Sequence, residues 1–281
     1  MSTPLPRPQD TDLERDPVET TVTGSHGVAH FMRPALPTLR KVPAITAIFW
    51  IIKLLTTGMG ETTSDYLVHQ INPLIAVAFG GVGLAIALVL QFRARRYVPW
   101  IYWLAVVMVA IFGTMVADVL HVGLGVPYLV STTFFAGALA VIFLAWYARE
   151  KTLSIHSIDS RTRELFYWAT VMTTFALGTA AGDMTAFTLG LGFFSSGVLF
   201  AVVIAVPALA YRLAGLNAIL AFWFAYIVTR PLGASFADYL GRPRRMGGQG
   251  LGTGQVSLVI AIVVMALVGY LSIAREDEIS S

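Results

Sequence analysis

Four aspartates recur at one register of an internal sequence repeat. Each of four 17-residue segments carries a tryptophan 15 positions before the aspartate and a glycine five positions before it. The segments align without gaps at 49–65, 102–118, 167–183 and 222–238, with Trp50, Gly60 and Asp65; Trp103, Gly113 and Asp118; Trp168, Gly178 and Asp183; and Trp223, Gly233 and Asp238. Carboxylates brought together from four repeats can bind a metal cation or exchange protons.

Other polar residues on the same helix faces extend this set of carboxylates. Positions one, two and three helical turns before each aspartate share its face, and in the first repeat they hold Glu61, Thr57 and Lys53. The predicted metal ligands are Asp65, Asp118, Asp183, Asp238 and Glu61. The predicted auxiliary residues of the pathway are His69, His121, Thr57, Thr114, Thr179, Lys53 and Arg230, with both histidines at its outward mouth.

The predicted ligands favour a hard divalent cation. They are oxygens with at most two imidazoles, and the chain has no cysteine, which excludes disulfides and thiolate metal sites. Such ligands suit Mn²⁺, Mg²⁺ or Ca²⁺ better than Cu⁺. Five carboxylates against Lys53 and Arg230 leave a formal excess of three negative charges. A bound cation would neutralise this excess, and so would protons on groups such as Glu61. No obligatory cofactor is predicted.

The elements that position these residues are apolar helices. The chain is 56% hydrophobic and only 12% charged, which is too little charge for a soluble surface. Apolar runs of about 20 residues recur, each long enough to cross a hydrocarbon core of about 30 Å. They lie at 44–67, 73–92, 99–120, 127–147, 165–186, 192–211, 216–238 and 254–273. The sequence therefore predicts an all-α integral membrane protein with eight transmembrane helices.

Each repeated aspartate is predicted to lie inside the membrane. Fifteen residues of helix rise about 22 Å from the tryptophan, which places the carboxylate within the outer leaflet. A lone carboxylate facing lipid costs about 2.5–3.5 kcal/mol. The aspartates should therefore face the interior of the bundle, with the repeated glycines permitting close helix packing. The tryptophans are predicted to be interfacial anchors and packing residues.

Basic residues in the connections predict the orientation. Twelve lysines and arginines lie on the N-terminal side and only Arg242, Arg244 and Arg245 on the other, so both termini are predicted to be cytoplasmic. The basic loop at 242–245 is either a contact with anionic lipid, a gate, or a sign that the last hairpin is misplaced. Residues 1–43 lack apolar periodicity and a secretory signal and are predicted to be a disordered cytoplasmic tail. A short C-terminal tail is predicted over 274–281.

The repeats are predicted to run in parallel. Each contains two crossings, at about 44–98, 99–160, 161–215 and 216–273, so all four point the same way around an axis along the membrane normal. The Trp/Gly/Asp register resembles a family of bacterial inner-membrane proteins built from four tandem two-helix repeats, each with a characteristic tryptophan. The resemblance covers about residues 44–273 and implies the fold and a multi-pass inner-membrane location. It supplies no mechanism, because the function of that family is unassigned.

The leading functional hypothesis is a cation transporter for a divalent metal such as Mn²⁺, with export slightly favoured. Its expected partners are the lipid bilayer, the transported cation and protons, but not nucleic acid, and a homo-oligomer is left open. The alternatives are a proton- or sodium-coupled small-solute transporter, an acidic-ring channel, and a non-transporting structural or regulatory protein. Equal registers alone show only common origin, and an aspartate near a helix end can cap a turn. No enzyme is predicted, because the chain has no Walker A, nucleophile-elbow or His-Glu-x-x-His motif.

Overall fold

The computed structural model describes residues 41–280, without the side chains of Val122 and 275–280. In this range the chain forms eight long α-helices and no β-strand. They are α1 (Ala47–Gln70), α2 (Pro73–Arg93), α3 (Pro99–Asp118), α4 (Tyr128–Glu150), α5 (Arg161–Asp183), α6 (Gly192–Ala214), α7 (Ala218–Gly241) and α8 (Thr253–Ser280). Each predicted apolar run falls on one of these helices, which confirms an all-helical fold. The predicted N-terminal tail lies almost entirely outside the described residues, and α8 continues through most of the predicted C-terminal tail.

Capping residues determine where several helices begin and end. Asn72 accepts a hydrogen bond from the backbone N–H two residues later and precedes Pro73, whose missing N–H costs nothing at a helix start. Ser160 caps α5 by accepting from the N–H three residues later. Gly215 ends α6 with a φ of 65°, in the left-handed region that glycine adopts without strain. These local signals fix the helix lengths and hence the depth of the polar residues.

The odd-numbered helices form an inner ring, and the even-numbered helices surround it. In the ring, α1 contacts α3, α3 contacts α5, α5 contacts α7, and α7 returns to α1. The outer helices α2, α4 and α6 pack mainly on the inner helix that follows in the sequence, and α8 packs on α1. Each repeat therefore covers its neighbour with its outer helix, and most buried polar side chains lie within the inner ring.

The repeated glycines allow neighbouring inner helices to approach each other. Each lies against the residue eight positions before the aspartate of the next repeat: Gly60 against Ala110, Gly113 against Phe175, Gly178 against Arg230, and Gly233 against Thr57. A methyl group added at Gly113 would lie 2.9 Å from the Phe175 Cβ, which is closer than carbon atoms pack. The same contact thus occurs at all four interfaces and closes the ring.

Gly60→Ala is expected to lower the free energy of unfolding by about 1–3 kcal/mol. The added methyl would meet both the side chain and the backbone of Ala110, so the two helices would have to move apart. Gly137→Ala is the matched control, because Gly137 is an exposed helical residue of α4 with open space around it. The control should be neutral or stabilise by about 0.5–1 kcal/mol. Thermal unfolding in detergent measures both, and equal midpoints would contradict the role of the glycine in helix packing.

Six of the described helices are long and apolar enough to cross a membrane, namely α2, α3, α4, α6, α7 and α8. The helices α1 and α5 are equally long but more polar. Both belong to the inner ring, where their polar residues contact other helices. The chain is therefore a multi-pass membrane protein whose most polar helices lie at its centre.

Candidate functional site

Polar side chains of the inner ring lie in two layers along its axis. The acid layer contains the four repeated aspartates, Asp65, Asp118, Asp183 and Asp238. The middle layer lies one to two helical turns earlier and contains Glu61, Thr114, Thr179 and Arg230, all of them buried. The acid-layer charges interact with one another and with Glu61. The structure thus brings predicted residues from all four repeats around one axis.

Arg230 connects the middle layer to all four inner helices. Its Nη2 donates hydrogen bonds to Glu61 Oε2 at 3.1 Å, to Thr179 Oγ1 at 2.8 Å and to Thr114 Oγ1. Its Nη1 donates to the backbone carbonyl of Thr57 at 2.7 Å. The side chain is fully buried. Arg230 therefore neutralises Glu61 and closes the ring axis next to the acid layer.

The fourth repeat combines this arginine with a small residue at the next middle-layer position. Ala234 occupies the middle-layer position that holds a larger polar residue in the other three repeats. Arg230 comes from one turn earlier on the same helix and reaches into that space. Its stem lies directly against Gly178 of α5, where any side chain would overlap it. The central cation of the site thus depends on two small neighbours.

Lys53 lies one layer further from the aspartates and is almost completely buried. Its Nζ is 4.2 Å from the centre of the Phe175 ring and 4.3 Å from that of Tyr226. It also donates to Thr57 Oγ1 at 3.4 Å. No carboxylate among the described residues pairs with it, and the two aromatic rings stabilise the ammonium by cation–π contacts instead.

Arg242 compensates one half of the acid layer. It follows the end of α7; its Nη2 lies 2.8 Å from Asp65 Oδ2, and its Nε donates to Asp238 Oδ1 at 3.0 Å. Burial opposes the charge on Arg242, but Asp238 and Asp65 outweigh it and raise the pKa of the guanidinium. Arg242 is not among the site residues predicted from the sequence. The signal that could have found it is its position one helical turn after Asp238.

Asp118 and Asp183 form the other half of the acid layer, together with His121. One ligand atom from each of the three lies within 4.8 Å of the other two, and His121 Nδ1 is 3.8 Å from Asp183 Oδ2. Neither aspartate forms an ion pair with a lysine or arginine anywhere in residues 41–274. Asp118 is half-buried, whereas the side chains of His121 and Asp183 are 2% and 11% exposed.

The backbone also differs between the two halves of the acid layer. Directly after Asp118 and Asp183 the α-helix changes into a π-helical turn, at Val119–Gly123 and at Met184–Thr188. In the first and fourth repeats the α-helix continues past the aspartate. A π turn is wider than an α turn, changes the direction of its side chains and frequently occurs at functional sites. The half without an arginine is therefore also the half with altered backbone geometry.

The two predicted histidines have different environments. His121 is buried, and its Nε2 lies 2.5 Å from Ser131 Oγ. Ser131 Oγ in turn donates to the backbone carbonyl of Tyr128 at 3.0 Å. His69 is exposed, and its Nδ1 lies 2.6 Å from the backbone carbonyl of Asp65. Ser131 and Tyr128 lie in α4, outside the repeated segments, so no sequence pattern pointed to them.

The formal charges of the polar core leave an excess of two negative charges. Five carboxylates lie in the two layers, and the cations of the same polar core are the buried Lys53 and Arg230 and the partly exposed Arg242. The excess is one smaller than the sequence alone predicted, because Arg242 folds in from a loop. Arg230 and Arg242 both lie against other carboxylates. Asp118 and Asp183 are therefore the two carboxylates of the layers that no arginine contacts, whereas Asp65 and Asp238 share one.

The opposite end of the inner ring is a closed aromatic cluster. Trp103, Trp168 and Trp223 are each at most 4% exposed and belong to the main apolar core. Trp50 is partly exposed at the edge of the same cluster. Trp223 donates from Nε1 to the backbone carbonyl of Leu153 at 2.9 Å. Three of the four repeated tryptophans therefore pack inside this cluster, and their role as interfacial anchors stays a prediction.

A protein-family model described as Repeat of Unknown Function (DUF347) matches the chain four times. The matches cover residues 48–97, 101–152, 166–215 and 221–277. They coincide with the four predicted repeats and confirm the resemblance to a repeat family of unassigned function. Comparison with curated proteins and with solved structures finds no match.

Proposed function

The chain belongs to this family of repeats of unknown function, and we propose that it transports a cation across the bacterial inner membrane. The proposed substrate is a divalent metal ion such as Mn²⁺, with export slightly favoured over uptake. The activity proposed is transport and not catalysis. Protons, exchanged in the opposite direction, are the proposed coupling ion.

The observation that carries the proposal is the Asp118–Asp183 pair. Two carboxylates whose oxygens lie within 4.8 Å of each other repel unless something positive lies between them. Every other carboxylate of the two layers has an arginine partner. Leaving a buried charge without a partner costs several kcal/mol, so this pair calls for a cation or a proton between its oxygens. One divalent cation would neutralise it.

The proposed mechanism uses the middle layer as the closed gate. The ion would enter the acid layer beside Asp118 and Asp183 and stop at the Arg230 network. Arg230 lies on α7, whereas its hydrogen-bond acceptors lie on α1, α3 and α5. A small shift of α7 would break all of these bonds together and leave Glu61 free to bind the ion or a proton. An axis filled by an arginine favours a carrier over an acidic-ring channel.

We propose that all eight helices cross the bilayer and that both termini are cytoplasmic. The outer helices would shield α1 and α5 from lipid, which compensates for their polar composition. Twelve basic residues lie in the connections on the N-terminal side and three in those on the other side, which supports this orientation. The acid layer would then face the exterior of the inner membrane.

Mn²⁺ flux in proteoliposomes tests the proposal. Asp118→Asn and Asp183→Asn are each expected to lower the rate about tenfold or more, because each removes one of the two charges that would hold the ion. Asp159→Asn is the matched control. Its carboxylate is 60% exposed and pairs with Arg163 in a loop at 3.3 Å, so its flux should equal that of the parent.

The same vesicles distinguish the alternatives. The proposal fails if both aspartate variants move Mn²⁺, Ca²⁺, Na⁺ and H⁺ as the parent does. Movement of H⁺ or Na⁺ without a divalent ion would instead favour the coupled transport of another solute. A parent protein that moves none of these ions would favour a structural or regulatory role.

A further inference from the structure

We propose that His121 is a metal ligand and that it forms, with Asp118 and Asp183, a three-ligand site selective for Mn²⁺ and related transition-metal ions. This inference rests on the proposed cation transport for its biological use, and it names the third ligand and the ion class. It changes the role of His121, which the sequence alone placed at the mouth of the pathway.

The geometry of the three side chains fits a single ion. Two atoms bonded to one ion at 2.0–2.6 Å can be at most about 5 Å apart, and the three candidate atoms all lie within 4.8 Å of one another. The His121 side chain is only 2% exposed. Its Nδ1 is buried without a hydrogen-bond partner in the described part of the chain. That atom faces Asp183 Oδ2 at 3.8 Å. An imidazole nitrogen without a hydrogen-bond partner thus lies beside the two carboxylates that no arginine contacts.

Ser131 holds the imidazole in the form that a metal needs. When the Ser131 hydroxyl donates its proton to the backbone carbonyl of Tyr128 at 3.0 Å, its oxygen can accept from His121 Nε2 at 2.5 Å. The ring proton is then on Nε2, and the Nδ1 lone pair points toward the aspartates. A histidine that binds a metal through one nitrogen commonly donates from the other to such a partner.

The other repeats show that the fold does not need a histidine here. The residues three positions after the other aspartates are Val68, Ala186 and Gly241. The third repeat has the same π-helical turn, Met184–Thr188, with an alanine at that position. Valine, alanine or glycine is therefore enough to pack this position of the repeat. A buried imidazole with one unpartnered nitrogen requires another explanation, and metal binding supplies it.

The ligand set determines the ion class. Two carboxylates and one imidazole bind Mn²⁺, Fe²⁺, Co²⁺ or Zn²⁺ more tightly than Mg²⁺ or Ca²⁺, because the latter prefer oxygen ligands only. Three protein ligands leave coordination positions of the ion open for water. An ion that has to be released during transport needs such an incomplete set of protein ligands.

Direct metal binding to the full chain in detergent tests the site without transport. Mn²⁺ is titrated while free Mn²⁺ is followed by electron paramagnetic resonance, and Mg²⁺ is then added as a competitor. The parent should bind one Mn²⁺ and retain it against excess Mg²⁺. His121→Gln should raise the Kd for Mn²⁺ about 100-fold and reduce the preference over Mg²⁺. Ser131→Ala, which leaves all three ligands in place, should raise it about tenfold.

His156→Gln is the matched control, because His156 is an exposed loop histidine that should not affect the Kd. Unfolding midpoints without metal show which variants are folded, and Ser131→Ala tests the site even where His121→Gln does not fold. Unchanged Mn²⁺ affinity and selectivity in the folded variants would overturn the ligand assignment, while metal flux could persist through the carboxylates. Conversely, His121-dependent binding without Mn²⁺ flux would refute the proposed transport and leave the site intact.

Discussion

Arg230→Leu is expected to lower the free energy of unfolding by about 3–5 kcal/mol, or to prevent the protein from accumulating. The leucine would leave the Glu61 carboxylate charged and buried. It would also remove the hydrogen bonds to the hydroxyls of Thr114 and Thr179 and to the backbone carbonyl of Thr57. Few other side chains in the described core have so many buried acceptors to satisfy. Thermal unfolding of the purified protein in detergent measures the loss.

A double variant tests whether stability depends on the Arg230–Glu61 ion pair as a unit and not on Arg230 alone. Removing one partner of a buried ion pair leaves an uncompensated charge, whereas removing both is often nearly neutral. Arg230→Met combined with Glu61→Gln should therefore be more stable than Arg230→Leu alone. Arg212→Leu, at an exposed position of α6, is the control and should stay within about 0.5 kcal/mol of the parent. Near-parental stability of Arg230→Leu would show that the middle layer does not hold the ring together.

The repeat register predicted the architecture because each repeated residue has the same neighbour in every repeat. A glycine five residues before an aspartate faces the next helix in all four repeats, from Gly60 to Gly233. The lengths of the hydrophobic runs likewise predicted the eight helices. In a bilayer, an apolar segment of this length satisfies its backbone hydrogen bonds by forming a helix. These features follow from local patterns, which a sequence displays directly.

The division of the acid layer into two unlike halves was not visible in the same register. Asp65 and Asp118 occupy equivalent positions, yet only the former contacts a guanidinium, from Arg242, which lies 177 residues further along the chain. Such a contact depends on how the last repeat closes against the first. The sequence also contains no periodic signal for a π-helical turn or for Ser131, because each is a single local departure from the repeat.

Departures from the repeat are where the chemistry of this protein is concentrated. Tandem copies start with equal residues, and equal charges on one axis would repel one another. Arg230, Arg242 and His121 each occur in one repeat only. Two of them neutralise carboxylates, and the third provides a nitrogen beside the carboxylates that stay uncompensated. The fourfold scaffold therefore sets the positions of the carboxylates, and the asymmetric residues set the charge around each of them.

Arg242→Gln is expected to convert the compensated half of the acid layer into a second cation-binding position. The substitution removes the guanidinium that bridges Asp65 and Asp238 and raises the excess negative charge of the core from two to three. The metal-free variant should unfold at a lower temperature than the parent, because two neighbouring carboxylates lose their shared partner. Mn²⁺ should reverse that loss.

Binding stoichiometry and unfolding midpoints measure this effect together. A ligand present at 100 times its Kd stabilises the folded state by about 2.7 kcal/mol for each site. Arg242→Gln should therefore bind two Mn²⁺ ions where the parent binds one, and its midpoint should rise more on adding Mn²⁺. Arg244→Gln is the matched control, since this exposed arginine of the same loop donates only to the backbone carbonyl of Gln249.

The alternative outcome is equally informative about the acid layer. If Arg242→Gln is destabilised but still binds one Mn²⁺, the arginine serves only to hold α1 and α7 together. If it binds two, the parent carries a tethered cation in the second position. Because that cation is part of the chain and cannot leave, it would limit the proposed transport to one ion at a time and keep Asp65 and Asp238 from retaining a second.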